Sequence, residues 1–160
     1  MRFHHPSPEL PPYPAFEIEI PDGWRPDEAP DCLGVFYDPQ AAGFVTNVLV
    51  SADRVAAEVN LEAAARVTLN EASTFTDFQL EQEHAVDVDG RPASLRFQSF
   101  VVEGVEDRLL QMQILFFAPP SEGRTKTHDL FHIDGTCLAG DAERYATVFQ
   151  EIARSFRFVK

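Results

Sequence analysis

The sequence predicts an α+β domain in which an antiparallel β-sheet of about six or seven strands is flanked by two main helices. Three segments between residues 78 and 117 alternate apolar with polar residues, as half-buried strands do. Short turns separate these segments, so that neighbouring strands form hairpins. Apolar residues recur at helical spacing in segment 61–74 and in the segment that follows Asp141. Hairpin connections favour an α+β domain over a doubly wound parallel sheet.

The chain has 160 residues, which is the size of one domain. Residues 1–14 form a Pro-rich arm, and residues 15–160 form the predicted domain. An arm of this composition is either disordered or extended along the domain surface.

The elements before the first hairpin follow from alternation and from turn residues. Residues 16–20, 33–37 and 44–51 are predicted strands, and the acidic, Pro-bearing segment 25–31 is a predicted loop. Asn60 is a favourable N-cap for the helix predicted at 61–74.

The two hairpin turns predict which side chains share a face. Asp89-Gly90 suits a two-residue type I′ turn, and Gly104-Val105 suits a second turn. The resulting register places Val88 opposite Arg91, Glu83 opposite Arg96, Glu81 opposite Gln98, Gln98 opposite Gln111, Arg96 opposite Gln113, Phe97 opposite Met112 and Leu95 opposite Ile114. Period-two geometry then gives an apolar face made of Leu80, Val86, Leu95, Phe97, Leu110, Met112, Ile114 and Phe116.

The opposite face of these three predicted strands carries the best candidate site in the sequence, here called the predicted patch. It consists of Glu81, Glu83, Arg96, Gln98, Gln111 and Gln113, with Phe100 and Phe117 at its ends. One interpretation is a groove that binds an extended peptide or a polar ligand; the other is a solvated face or a polar contact with a helix. Acid–base chemistry is a weaker hypothesis, because Arg96 would hold Glu83 ionised.

In the last third of the chain, the sequence pattern predicts one strand and one helix. The strand spans 127–138 with an interruption near Asp134-Gly135, and Asp141 caps the closing helix. We expect a sheet edge at 16–20 or at 127–138, and an open edge there would support a homodimer.

Three further residues or groups are weighed as sites. His128, His132 and Asp134 share one face of the strand, but the two His are about 13 Å apart in an extended segment, so no metal site is predicted. His84 is predicted on the apolar face opposite Leu95, where backbone partners would satisfy it. Trp24 follows a turn and is interpreted as a lid on the core, with an exposed binding anchor as the alternative.

Composition and charge exclude several function classes. The net charge of −13 and the pI of about 4.6 disfavour binding to nucleic acids and to anionic membranes. Neither a signal peptide nor a span of about 18 apolar residues occurs, so a cytoplasmic location is expected. Cys32 and Cys137 lack CxxC spacing and are interpreted as free thiols. No catalytic or cofactor-binding motif is present, so neither an enzyme nor a cofactor is expected.

The order and spacing of several segments resemble the PsbP-like fold, in particular the LpqN/LpqT lipoprotein family. The segments are Phe16-Glu17-Ile18-Glu19-Ile20-Pro21-Asp22-Gly23-Trp24, Asn47–Val50, the helix at 61–74, Asp89-Gly90-Arg91-Pro92-Ala93, and Phe149, Ile152, Ser155 and Phe156 of the last helix. The resemblance covers residues 15 to 158. It implies a sheet flanked by helices and a binding or adaptor role, but it transfers no site residue. The lipoprotein signal of that family is missing from this sequence.

These observations together predict a non-enzymatic cytoplasmic binding or adaptor protein whose partner is a protein or peptide. One alternative is a binder of a small apolar molecule or lipid held between sheet and helix. The other is a hydrolase or isomerase that uses the acidic residues of the predicted patch.

Overall fold

A computed structural model describes residues Met1–Lys160. The strands are β1 (Phe16–Glu17), β2 (Arg25–Asp27), β3 (Gly34–Tyr37), β4 (Asn47–Ala56), β5 (Gln79–Val88), β6 (Arg91–Phe100), β7 (Leu109–Phe117), β8 (Thr127–Leu138) and β9 (Arg157–Phe158). The helices are α1 (Leu61–Ala72) and α2 (Ala142–Ser155), and a short 3₁₀ turn (Ala139–Asp141) precedes α2. Neither helix is long and apolar enough to cross a membrane.

One antiparallel sheet of seven strands dominates the molecule, in the order β2-β3-β4-β8-β7-β6-β5. The predicted α+β class is therefore confirmed. The strand expected at 127–138 exists, but it is central rather than an edge, because β8 pairs with β4 on one side and with β7 on the other. The edges of this sheet are β2 and β5.

The two helices cover opposite faces of the sheet. α2 lies over the apolar face, where its Tyr145, Phe149 and Ile152 join a core of eighteen buried residues. α1 lies over the other face and packs a smaller cluster around Ala64, Leu115 and Leu130. Asn60 caps α1 as expected, because its Oδ1 accepts a hydrogen bond of 2.8 Å from the Ala63 amide.

Gly135 explains why β8 is continuous at the position where the sequence predicted an interruption. A Cβ built on Gly135 would lie 2.6 Å from the ring of Phe149, so only glycine lets α2 approach this closely. The Asp134-Gly135 pair is thus a close helix–sheet contact, and the expectation of a break was wrong because it weighed only turn propensity.

The predicted register is right for most of the hairpin ribbon. Val88 lies opposite Arg91, Glu83 opposite Arg96, and the whole β6–β7 register agrees. A β-bulge between Leu80 and Gln82 shifts the first part of β5, so that Leu80 rather than Glu81 lies opposite Gln98. Leu80 is consequently exposed instead of buried in the apolar face.

The ends of the domain meet in a small second sheet. The strand expected at 16–20 is limited to β1, which pairs with β9 so that Phe16 lies opposite Phe158. The segment predicted as a loop at 25–31 contains β2. Both cysteines are free thiols; Cys137 is buried, whereas Cys32 is half-buried.

Candidate functional site

Arg96 is the centre of a polar layer between the sheet and α1. Its Nε donates to Gln98 Oε1 (2.7 Å), and its Nη1 donates to the carbonyl oxygen of Ala65 in α1 (3.3 Å). Its Nη2 donates to Thr68 Oγ1 (3.4 Å) and to Gln113 Oε1. Burial lowers the pKa of Arg96, while the nearby carboxylates of Glu83 and Asp134 oppose that shift. Arg96 therefore joins three amide or hydroxyl side chains and one backbone carbonyl, and it ties α1 to β6 and β7.

The polar layer continues across the sheet on both sides of Arg96. Gln98 Nε2 donates to Gln111 Oε1 (2.8 Å), and Gln111 Nε2 donates to Thr136 Oγ1 (3.1 Å). On the other side, the amide of Gln113 lies near the carboxylate of Asp134 on the neighbouring strand. Burial raises the pKa of Asp134 to about 6, although His132, Gln113 and Arg96 favour its ionised form. Asp134 Oδ1 is buried without a hydrogen-bond partner.

The predicted patch is therefore not an open docking surface. Arg96 and Gln98 are 2% and 0% exposed, because α1 covers them. The interpretation as a polar contact with a helix describes these residues, and the interpretation as a groove for an extended peptide is wrong at this position. The sequence correctly predicted that these side chains share one face of the sheet. It did not predict that α1 packs over that face.

The remaining members of the predicted patch lie in different surroundings. Glu81 falls in the β-bulge and accepts a hydrogen bond from Ser99 Oγ (2.7 Å), away from Arg96. Phe100 is buried against Phe75, with ring centroids 4.8 Å apart. Phe117 stacks on His128 at 3.8 Å, so neither aromatic end is free. Gln111 and Gln113 are half-buried, and Glu83 is exposed.

Glu83 instead lines a cleft that the sequence analysis did not identify. This α1–β5 cleft has a volume of about 650 Å³ and lies between one side of α1 and the β5–β6 hairpin. The residues that matter most in its lining are Leu61, Ala65, Leu69, Glu83, Ala85 and Ser94. The cleft exists because α1 packs on β6 and β7 and leaves β5 uncovered on this face.

The α1–β5 cleft combines an apolar floor with an acidic rim. Glu62 and Glu83 are both exposed at the rim, and Arg66 is the one Lys or Arg side chain in the lining. Arg66 is already 3.5 Å from Glu62 in an i,i+4 pair. The signal in the sequence was the run of small residues on the facing elements, such as Ala65 and Ala85, which leaves space that larger side chains would fill.

A second, smaller cleft of about 270 Å³ lies beside the N-terminal part of α2. Trp24 lies over the α2 core and meets Tyr145 edge to face at 6.3 Å. The hydrogen bond that Tyr145 donates to Asp38 (2.7 Å) lowers the pKa of Asp38 despite its burial. The Tyr145 hydroxyl and the Asp38 carboxylate already bond to each other, so this cleft offers a ligand few free hydrogen-bonding groups.

The His residues weighed as sites are not gathered into a metal centre. His132 Nε2 lies 3.0 Å from Asp53 Oδ2 on the neighbouring strand, and His128 stacks on Phe117. No group of three or more His, Cys, Asp or Glu side chains is arranged to hold an ion. His84 lies opposite Leu95 as predicted but is exposed, with its ring nitrogen 3.0 Å from Gln82 Oε1.

The chain has the PsbP-like fold and resembles LpqN. LpqN of Mycobacterium tuberculosis, a protein involved in cell envelope biogenesis, matches with a TM-score of 0.77 and 16% identity over 99% of this chain and 89% of LpqN. Cyanobacterial PsbP (CyanoP) from Synechocystis matches with a TM-score of 0.59 and 21% identity over 90% of this chain and 86% of CyanoP. The Ran-binding protein Mog1p of Saccharomyces cerevisiae matches with a TM-score of 0.59 and 15% identity over 91% of each chain.

The resemblance predicted from the order of segments is thus confirmed at the level of the fold. No family model matches the sequence, and no curated protein matches it significantly. Identities this low establish a shared fold and transfer no site residue.

Proposed function

We propose that this protein is a non-enzymatic binding module that recognises a protein or peptide partner through the α1–β5 cleft. The observation that carries the proposal is an open cleft with an apolar floor beside an uncovered edge of the main sheet. Concave sites of this size are the usual binding sites of small ligands, and an opening along a free sheet edge suits an extended peptide as well. The fold also serves protein recognition elsewhere, since one structure that resembles this chain is a Ran-binding protein.

The space beneath α1 argues against the alternative of an apolar molecule held between sheet and helix. That space is filled by Arg96, which hydrogen-bonds to Ala65 and Thr68 of α1, and by its amide partners Gln98 and Gln113. An apolar ligand there would leave the buried guanidinium group of Arg96 without hydrogen-bond partners, at a cost of several kcal/mol. The α1–β5 cleft lies beside this layer and is open to larger partners.

We further propose that the protein works in the cytoplasm. Two free thiols are typical of a reducing compartment, and they support this location. An immunoblot of cytoplasmic and envelope fractions from the host tests it, and recovery with the envelope fraction would contradict it.

The binding proposal is tested with a displayed library of random twelve-residue peptides selected against the protein immobilised through its C terminus. Enriched peptides are then measured against Leu69→Gln, which makes the cleft floor polar, and against Val67→Gln. Val67 is 55% exposed on the same helix but does not line the cleft, so it is the matched control.

We expect enriched peptides to bind the control variant like the original protein and to bind Leu69→Gln about tenfold more weakly, the loss expected for an apolar contact of one side chain. Circular dichroism and thermal melting confirm that both variants keep the fold. Equal affinity for all three proteins, or no enriched peptide at all, would contradict a binding role for this cleft.

A further inference from the structure

β5 is a long edge strand whose outer side pairs with no other strand. It is ten residues long, pairs only with β6, and ends the seven-stranded sheet. Its residues from Gln79 to Ala85 are all exposed. Free edges of this kind offer unpaired backbone groups to another strand.

The hairpin geometry identifies which backbone groups of β5 are free. Asp89 and Gly90 have φ of 51° and 71°, as a two-residue type I′ turn requires, so Val88 and Arg91 form its closing hydrogen-bonded pair. Hydrogen-bonded and non-hydrogen-bonded pairs then alternate along the ladder. The amide and carbonyl groups of Glu83, Ala85 and Asp87 therefore point away from β6, into solvent.

The same three residues set the side-chain environment of the free edge. Glu83 and Ala85 lie opposite Arg96 and Ser94, so their side chains are on the α1 face and line the α1–β5 cleft. Asp87 lies two residues further along the same face and is exposed. With Glu62 of α1, the edge and the cleft rim carry three carboxylates against Arg66, which is already paired with Glu62.

The opposite face of the edge carries the exposed His84 and the half-buried Val86. Val86 is half-buried and contacts the α2 core beside Leu95. An added strand would alternate between the two faces, with one set of side chains near the carboxylates and the other set beside Val86. Long side chains with an apolar stem and a positive end fit the first set, because their stems can cover Leu69 while their charges meet Glu83.

The β-bulge limits where an added strand can pair. Edge strands commonly carry bulges and charges that prevent promiscuous pairing. Here the bulge lies between Leu80 and Gln82, so a regular ladder is available only from Glu83 to Asp87. Acidic residues on that stretch repel another copy of this acidic chain, whose net charge is −13, but attract a basic segment.

We propose that the partner supplies an extended segment with Arg or Lys at alternate positions, which adds to β5 as an eighth strand along Glu83–Asp87. Backbone hydrogen bonds to Glu83, Ala85 and Asp87 give affinity, and the acidic rim of the α1–β5 cleft selects basic side chains. This inference rests on the proposed function and specifies the partner's chemistry and its mode of binding.

The test uses a capped heptapeptide in which Arg alternates with Val, titrated calorimetrically at low ionic strength. Two matched peptides accompany it: one carries N-methyl groups on the backbone amides of one edge, and one carries Glu in place of Arg. On the protein side, Ala85→Pro removes an outward amide that β6 does not use, as edge strands tolerate. Ala85→Ser is its control, because serine keeps the amide.

We expect the Arg–Val peptide to bind the original protein and Val67→Gln with equal affinity, and to bind Ala85→Ser more tightly than Ala85→Pro, because serine keeps the backbone amide. Ala85→Pro and the N-methylated peptide should each weaken binding by about tenfold or more, the equivalent of one or two lost backbone hydrogen bonds. The Glu-bearing peptide should not bind. Amide exchange followed by NMR should slow at Glu83, Ala85 and Asp87 in the complex, which docking through side chains alone would not produce.

The outcomes separate this inference from the proposed function. If Leu69→Gln weakens peptide binding while Ala85→Pro and N-methylation leave it unchanged, strand addition is wrong and the cleft remains the binding site. If the Arg–Val peptide fails to bind the original protein, the basic strand is likewise wrong, and the library selection alone decides the role of the cleft.

Discussion

Asp134 is a half-buried carboxylate in the polar layer beneath α1. Burial raises its pKa to about 6, and one of its oxygens has no hydrogen-bond partner. The nearby His132, Gln113 and Arg96 favour the ionised form of Asp134, but they offset the effect of burial on its pKa only in part. The folded protein therefore holds the Asp134 proton more tightly than the unfolded chain does.

Asp134→Asn should stabilise the protein at pH 7 and flatten its dependence on pH. Because the folded pKa lies above the unfolded value of 3.8, the stability from protonated Asp134 is fully present below pH 4 and is lost as pH rises through 6. The neutral amide avoids that loss, so the gain at pH 7 should reach up to about 3 kcal/mol. Urea unfolding of both proteins from pH 4 to 8 measures it. Curves that run parallel over this range would show that Asp134 does not titrate as described.

At the scale of elements, the contact between α2 and β8 depends on the absence of a side chain. Gly135 lies directly beneath the fully buried ring of Phe149, and the neighbouring strands β4 and β7 hold β8 in place on both sides. The backbone of β8 therefore has no freedom to withdraw from an added methyl group.

Gly135→Ala should destabilise the protein by about 1–3 kcal/mol, because a fixed backbone would force the Phe149 ring or the whole of α2 to move. Thermal or urea unfolding measures the loss. Combining it with Phe149→Leu, which removes the clashing ring, should give a smaller loss than the sum of the two single variants. Strict additivity would mean that the two residues do not interact as the structure has them.

Sequence patterns predicted elements well where one physical signal was sufficient. The type I′ turn predicted the β5–β6 register near the turn, and the turn centred on Gly104-Val105 predicted the β6–β7 register. The patterns failed where tertiary packing decided. The bulge at Glu81 contains no glycine or proline that would indicate it. Gly135 alone suggests a turn, and its role is evident only from its contact with Phe149 of α2. The α1–β5 cleft depends on how far α1 extends across the sheet, which no local pattern contains.

At the scale of the whole molecule, part of the N-terminal arm is fixed to the domain. Arg54 Nη2 donates to the carbonyl oxygen of Pro11 (2.9 Å), and its guanidinium lies 5.1 Å from the ring centroid of Tyr13. Tyr13 also meets Phe131 of the core edge to face. The preceding residues, up to Leu10, bond only to one another in a local turn.

Removing residues 1–9 should therefore leave the free energy of unfolding within about 0.5 kcal/mol of the original value, as for other exposed changes. Removing residues 1–14 should lower it by about 1–2 kcal/mol, because one hydrogen bond and one cation–π contact are lost. Urea unfolding of the two shortened proteins measures the difference. Equal stability of both would mean that Pro11 and Tyr13 contribute nothing to the domain.

The pairing of β1 with β9 has a practical consequence for handling the protein. Phe16 and Phe158 both pack against the core on the α2 side of the sheet, so the polypeptide enters and leaves the domain at neighbouring points. A fluorescent reporter or a surface tether fused after Lys160 therefore departs from the face opposite α1. A short linker between the two ends would allow new termini to be opened in the exposed segment around Gly123.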